Sequence, residues 1–189
     1  MSTLKVDNLL LQNNNAGTGR ILETICGMAD GRSITTLSGT HSLENVTTYQ
    51  ALSTTFTDIT GSKINYLPPE GTKTVVYKFS YHESYAGNTF VLYHTQLMID
   101  DVEVTKARNT AYLSYMTGKR TFYYAINCVG SSDDSTTGTF TSWTSQKELK
   151  LQMREYSSSY NTQLHNTYWW AGAGSENLTL PMLEIVAIG

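Results

Sequence analysis

The sequence contains little charge, and it has no concentration of charge of one sign. Charged residues make up 15% of the 189 residues, against roughly a quarter in an average soluble protein, and the formal net charge is −3. Lysine and arginine are scattered, so no basic patch is available to attract a phosphate backbone or an anionic lipid surface. We therefore expect neither nucleic acid nor a membrane to be a partner.

Long hydrophobic runs and cysteines are also scarce. No stretch approaches the ~20 apolar residues that a membrane-spanning helix needs. The first residues, MSTLKVDNLLLQNNN, lack the pattern of a secretion leader, so we expect a soluble protein that is not exported through a leader of its own. The two cysteines, Cys26 and Cys128, do not have the spacing of a metal or redox motif. We expect both to be buried free thiols.

Strand signals are abundant, whereas helical periodicity is nearly absent. Serine and threonine supply about a quarter of the chain, and turn-rich links such as LPPEGT, ESYAGN, SSDDSTTG and AGAGSEN separate the alternating runs. Alternating runs separated by turn-rich links are typical of an antiparallel sheet protein, so we predict an all-β fold. The predicted strands are residues 49–60, 73–82, 89–99, 120–129, 147–156 and 178–188.

The predicted strands differ in how much apolar surface they carry. In KELKLQMREY, leucine and methionine alternate with lysine, glutamine and arginine, so one side faces a core and the other faces water. The strands that start near Val75, Phe90 and Phe122 have bulky residues on both sides, which a two-layer sandwich would leave exposed. Copies of the same protein would cover this surface, although loops or the N-terminal segment are alternative covers.

Aromatic residues on these strands are the predicted contacts between copies. Tyrosine combines a large contact area with a hydroxyl that tolerates water, and aromatic residues are enriched at the centres of interfaces. The predicted interface residues are Tyr77, Phe79, Tyr81, Leu92, Phe122 and Tyr124.

The first thirty residues differ from the rest of the chain. Residues 1–30 contain a short apolar patch, an asparagine run and a Gly-Thr-Gly turn, and they are too few to hold a core. We predict an extended N-terminal docking arm over 1–30 and a β-sandwich body over 31–189, with an edge strand of the same sheet as the alternative for the arm. The apolar residues of the arm are Leu4, Val6, Leu9, Leu10 and Leu11.

No arrangement of residues predicts catalysis. The histidines are widely spread, and no HExxH, GxSxG, CxxC or phosphate-loop pattern occurs, so we predict no enzyme, no catalytic residue and no cofactor. His82 and His94 would approach one another if the runs around ESYAGN formed a hairpin. A metal site would need a third ligand, so we favour ordinary sheet histidines and predict no metal.

Two acidic pairs have local explanations. Asp100 and Asp101 fall between two alternating runs, where a short Asp-rich link favours a tight reversal. Asp133 and Asp134 lie in SSDDSTTG, whose oxygens could hold calcium but which lacks the spacing of a known calcium loop. We predict turns at both places.

Two adjacent tryptophans precede a glycine-rich turn in HNTYWWAGAGSEN. Trp169 and Trp170 could stack on sugar rings, which would make this segment a receptor-binding tip. Core filling or packing between subunits is the favoured alternative.

Several passages resemble a known group of proteins. The passages are LKVDNLLLQ, GRILETICGMADGRSI, LENVTTYQALSTTFTDITGSKINYLPPEGTKTVVYKFSY and PMLEIVAIG, and the resemblance is strongest over residues 43–81. They resemble structural proteins from viruses of aquatic microbes, including marine phages and large algal viruses. The bodies of those proteins are trimeric jelly rolls of the tumour necrosis factor and C1q type.

The resemblance implies a non-enzymatic virion component. The expected role is capsid decoration, a surface fibre or a tail appendage, with the jelly-roll body displayed at the virion surface. The expected partners are two further copies in a homotrimer, and major capsid or other virion proteins contacted by the N-terminal arm. The alternative is a host-glycan receptor-binding module that uses exposed aromatic residues.

Overall fold

The computed structural model describes residues 19–86, 90–114, 117–168, 170 and 177–189. Across this part of the chain, no helix is long and apolar enough to cross a bilayer. The strands are β1 (Ile21–Met28), β2 (Ser33–Thr36), β3 (Gly39–Ser42), β4 (Gln50–Ala51), β5 (Thr57–Asp58), β6 (Ile64–Tyr66), β7 (Thr74–Tyr85), β8 (Phe90–Ile99), β9 (Val102–Ser114), β10 (Gly118–Asn127), β11 (Lys147–Glu155), β12 (Thr162–Leu164) and β13 (Met182–Ile188).

The strands form two antiparallel sheets that face each other. One sheet has the order β1-β13-β7-β10, and β12 and β4 extend it beside the far end of β7. The other has the order β5-β11-β8-β9, with β6 also paired to β11, and β2 and β3 form a separate hairpin. The chain repeatedly crosses between the sheets, which is the connectivity of a jelly roll. The predicted all-β jelly-roll sandwich is confirmed.

The core lies between the two sheets and is rich in aromatic rings. Because side chains alternate along a strand, one face of β7 points entirely inward, and the rings of Tyr77, Phe79 and Tyr81 are at most 2% exposed. Phe122 lies opposite Phe79 on β10 and is also buried. These four residues were predicted to contact other copies. The second sheet of the same chain already covers them, so the structure corrects that prediction.

The outward face of β7 explains why no further cover is needed there. It carries Thr74, Val76, Lys78, Ser80 and His82, and most of these side chains are half-buried by the flanking strands β10 and β13. This face is small and largely polar, so it can be hydrated. The expectation of bulky apolar residues on both faces of β7 is therefore wrong.

The connections between neighbouring strands agree with the sequence at one turn and differ at another. Asp100 and Asp101 link β8 to β9 with φ angles of 49° and 62°, the left-handed conformation of a two-residue hairpin turn. The predicted reversal is confirmed. By contrast, β7 and β8 belong to different sheets, so the hairpin that would have paired His82 with His94 does not form.

The body of the protein begins before the predicted boundary at residue 30. Residues Ile21–Met28 form β1, which pairs along its length with β13. Alternating burial on β1 places Ile25 in the core. The second half of the predicted arm is thus an edge strand of the sheet, which was the alternative prediction for the arm. The apolar residues predicted for the arm lie outside the described residues: Leu4, Val6, Leu9, Leu10 and Leu11.

Candidate interaction surface

The outer face of the β5-β11-β8-β9 sheet carries aromatic, cationic and acidic side chains. On β8, Val91, Tyr93 and Leu97 point into the core. The alternate positions Phe90, Leu92, His94 and Gln96 therefore face outward. From one end of the strand to the other, this face passes from aromatic to cationic and then to acidic side chains.

The aromatic end of this face carries two pairs of neighbouring rings. The rings of Phe90 and Tyr112 stack at a centroid distance of 6.0 Å, and Tyr112 is 57% exposed. Tyr156 is 59% exposed and makes an edge contact with Tyr160 at 6.3 Å. Leu92 lies opposite Tyr112, and its carbonyl accepts a hydrogen bond from the Tyr156 amide. These five residues, Phe90, Leu92, Tyr112, Tyr156 and Tyr160, are called the aromatic patch below.

A bulge in β9 interrupts the sheet next to the aromatic patch. Thr95 pairs with Asn109 and Leu97 pairs with Val104, so β8 has one residue where β9 has four, residues 105–108. The Lys106 amide turns away from the sheet and donates to the Thr136 carbonyl at 3.0 Å. Bulges bend a strand and redirect its side chains. Here Arg108 of the bulge and the two residues after it, Asn109 and Thr110, line a groove.

The groove has a volume of about 350 Å³. Its floor contains the outward residues of β8, and its walls come from β9, from β11 and from the segment before β5. It is lined by Phe56, His94, Thr95, Gln96, Arg108, Asn109, Thr110 and Arg154.

The two arginines of the groove are held differently. Arg108 makes a bidentate ion pair with Glu103, with distances of 2.6 and 2.9 Å, and this pair lowers the pKa of Glu103. Arg154 lies over the Phe56 ring at 5.2 Å from its centroid and donates to the Glu155 carbonyl. Burial and, secondarily, the Arg154 charge lower the pKa of His94. The imidazole is therefore neutral at pH 7, and the free positive charge in the groove is that of Arg154.

The acidic end of the face is internally neutralised. Lys150 is almost buried, and its Nζ lies 2.7 to 3.1 Å from carboxylate oxygens of Asp58, Asp101 and Glu148. Hydrogen bonds to Asp101 and Glu148 raise the pKa of Lys150. This cluster ties β5 and the β8–β9 turn to β11, so its role is structural.

One buried group of titratable side chains forms a closed network. Glu83 is buried between the sheets, where it pairs with Arg120 at 2.7 Å and accepts a hydrogen bond from the Tyr93 hydroxyl, which contacts the Tyr81 hydroxyl at 2.8 Å. Burial raises the pKa of both tyrosines. This network leaves no charged group free to act on a ligand.

A second polar cluster superficially resembles a hydrolase triad. Ser38 Oγ donates to Glu23 at 2.6 Å and lies 2.9 Å from Nε2 of His41. The carboxylate thus contacts the serine, whereas a catalytic triad needs it on the histidine. Among the residues that the structure describes, no group of three or more histidine, cysteine or acidic side chains could hold a metal ion.

The remaining predicted residues lie in several places. Tyr124 is half-buried and donates to the Thr137 carbonyl at 2.9 Å, so a loop of the same chain covers it. Trp170 is 82% exposed, and Trp169 lies outside the described residues. Leu92 alone among the six predicted interface residues falls in the aromatic patch.

The acidic loop is held by its own hydrogen bonds, and the two cysteines differ in exposure. Asp133 accepts two hydrogen bonds from Thr141, and Asp134 caps the turn that follows it. Both carboxylates therefore stabilise the loop, as the turn prediction held. Cys26 and Cys128 are free thiols, as expected, but only Cys128 is buried.

No protein-family model and no curated protein matches the chain. A chain in the structure of infectious bursal disease virus, Gx strain, aligns with 90% of this chain at a TM-score of 0.37 and 9% identity. The alignment spans 40% of that viral chain. A likeness at this TM-score carries no information on function.

Sequence reasoning missed the residues that build the groove. Arg108 and Thr110 lie on β9, which was not predicted as a strand. Arg154 was recognised only as an outward position of β11. The register of β8 against β9 is what joins them, and it depends on the bulge.

Proposed function

We propose that this chain is a non-enzymatic structural protein of a virus particle. Its jelly-roll body forms homotrimers at the virion surface, as a capsid decoration, fibre or tail appendage, and its N-terminal segment docks onto major capsid or other virion proteins. The sequence resemblance over residues 43–81 supports this role, and the strand order of the two sheets agrees with the fold that the resemblance implies.

The observation that carries self-association is the outward aromatic patch. Exposed contiguous aromatic and aliphatic side chains mark protein interfaces, and tyrosine and phenylalanine are enriched in such interfaces. The Tyr112 and Phe90 rings lie nearly parallel to each other, with 16° between their planes, and Tyr112 is 57% exposed. A second copy of the chain is the proposed cover, because rings of identical subunits can bury the same patch repeatedly.

Sedimentation velocity tests this assembly. The wild-type chain should sediment as a species of three times the 21.0 kDa chain mass. Tyr112→Ser removes a ring from the patch and should shift the protein toward monomer, since truncating a central aromatic residue costs about 2 kcal/mol per interface. Tyr123→Ser is the matched control, because Tyr123 is 72% exposed on β10 of the opposite sheet. A wild-type monomer, or equal dissociation of both variants, would contradict the proposal.

The virion location has a separate test. Purified particles of the virus that encodes the chain should contain it as a regular component, detectable by mass spectrometry. Deleting residues 2–18 should release the body from particles and leave its circular dichroism unchanged, because β1 begins at Ile21. A body that stays attached without these residues would contradict docking through the N-terminal segment.

A second candidate function is favoured by the exposure of Trp170. An indole that is 82% exposed is available to stack on a sugar ring, as a host-glycan receptor-binding module would require. Trp170→Ala should abolish attachment to host cells without changing the oligomer. Unchanged attachment would exclude Trp170 as a receptor contact.

A further inference from the structure

We propose that the groove between the β9 bulge and β11 binds a saccharide that carries a carboxylate or sulfate group, with Arg154 contacting the anion. This inference rests on neither the homotrimer nor the virion location proposed above. It includes neither Trp170 nor any residue of the aromatic patch.

The charge of the groove indicates an anion. Its lining contains two arginines and a histidine but no carboxylate, although the whole chain carries a net charge of −3. Arg108 is compensated by Glu103. Within the described residues, Arg154 has no carboxylate within ion-pair distance. A guanidinium without a carboxylate partner favours the bidentate binding of a planar or tetrahedral anion.

The position of Arg154 is fixed before any ligand binds. Stacking on Phe56 and the hydrogen bond to the Glu155 carbonyl restrict the long side chain. Cation–π stacking leaves the edge of the guanidinium free to donate hydrogen bonds. The side chain therefore loses less conformational entropy when a ligand binds, which favours binding.

The other lining residues indicate a hydroxylated ligand. Gln96 Nε2 donates to Gln152 Oε1 at 2.8 Å, which orients the amide and leaves the Gln96 carbonyl oxygen as an acceptor. Asn109 and Thr110 add an amide and a hydroxyl on the opposite wall. A polar lining of this kind matches sugar hydroxyls, and about 350 Å³ lies within the range of small-ligand pockets.

Nuclear magnetic resonance titration of the full chain tests the proposal. The probes are glucuronic acid and glucose 6-sulfate, with glucose as the neutral match and inorganic sulfate as the free anion. The readouts are the Arg154 Nε–Hε signal and the backbone amides of residues 108–110. Both anionic sugars should shift these signals at millimolar concentration. Arg154→Gln should weaken binding about tenfold or more, as expected for the loss of a charge-assisted contact.

Arg32→Gln is the control variant, because Arg32 is an exposed arginine that pairs with Asp30 away from the groove. It should bind both anionic sugars like the wild type. Equal shifts with glucose and glucuronic acid would overturn recognition of the anion. Inorganic sulfate binding as tightly as glucose 6-sulfate would overturn recognition of the sugar. Binding that survives Arg154→Gln, or no shift with any probe, would overturn the site itself.

Discussion

His165 should make the stability of the protein fall as the pH is lowered from 7 to 4. Its side chain is fully buried, and its ring meets the edge of Phe79 at a centroid distance of 6.2 Å. Neither ring nitrogen has a hydrogen-bond partner of normal geometry in the described part of the chain. Burial lowers the pKa of His165 from 6.5 to about 4, and an interaction with the Thr60 backbone raises the pKa by a smaller amount. The folded protein therefore keeps the ring neutral.

The size of the effect follows from the two pKa values. Between pH 6.5 and 4 the unfolded chain binds a proton at His165 that the folded chain does not bind, so the free energy of unfolding decreases as the pH falls. A gap of about 2.5 pKa units gives about 3 kcal/mol at pH 4. Because domains are stable by only about 5–15 kcal/mol, this single group should lower the urea midpoint visibly.

The measurement is urea unfolding at pH 7 and pH 4, followed by fluorescence at one fixed protein concentration. His165→Asn removes the titrating group and keeps a residue that tolerates the φ of 62° at this position. The variant should be less stable at pH 7 but should lose about 3 kcal/mol less than the wild type between the two pH values. His94→Asn, on the outer face, should keep most of the wild-type pH dependence. A full wild-type pH dependence in His165→Asn would refute the lowered pKa.

Two other predictions concern buried groups. Glu83→Ala should lower the free energy of unfolding in urea by about 3–5 kcal/mol, because it removes the ion-pair partner of the part-buried Arg120 and the acceptor of the buried Tyr93 hydroxyl. A loss below about 1 kcal/mol would contradict this, and Glu83→Gln should lose less. Cys26 should react with a thiol reagent in the folded protein, whereas Cys128 should react only in urea, because burial raises its pKa to about 11; two fast-reacting thiols in the folded state would contradict this.

Alternation in the sequence predicted which residues share a face, but it did not predict which face is buried. On β7 the tyrosine and phenylalanine positions do lie together, as expected, and so do Val76, Lys78 and Ser80. Tyrosine has a hydroxyl that is compatible with either environment, so composition alone did not assign its face. The deciding factor is a pair of long-range contacts: Tyr77 donates to the Ser62 carbonyl, and Tyr81 meets Tyr93 on the opposite sheet.

Short local patterns were more informative than the assignment of faces. Two aspartates between apolar runs indicated a two-residue turn, and both adopt left-handed φ angles. The turn was predicted correctly because the conformation of a hairpin turn is determined by the residues within it. The prediction of a hairpin after β7 was wrong for the opposite reason. A turn-rich link permits either a hairpin or a crossing to the other sheet, and the choice depends on strands β10 and β13, which pair with β7 and are distant in sequence.

The irregular burial pattern of β9 explains why the sequence did not predict the groove. Val104 is buried before the bulge, Ala107 is buried within it and Ala111 is buried after it. The inward positions thus change from even to odd numbers, because three extra residues shift the period of two. Such a segment shows no continuous alternation, and a search for regular periodicity discards it. Arg108 lies in this bulge and lines the groove together with Arg154. The alternation of inward and outward residues is interrupted at this point, and for that reason the sequence did not predict the groove.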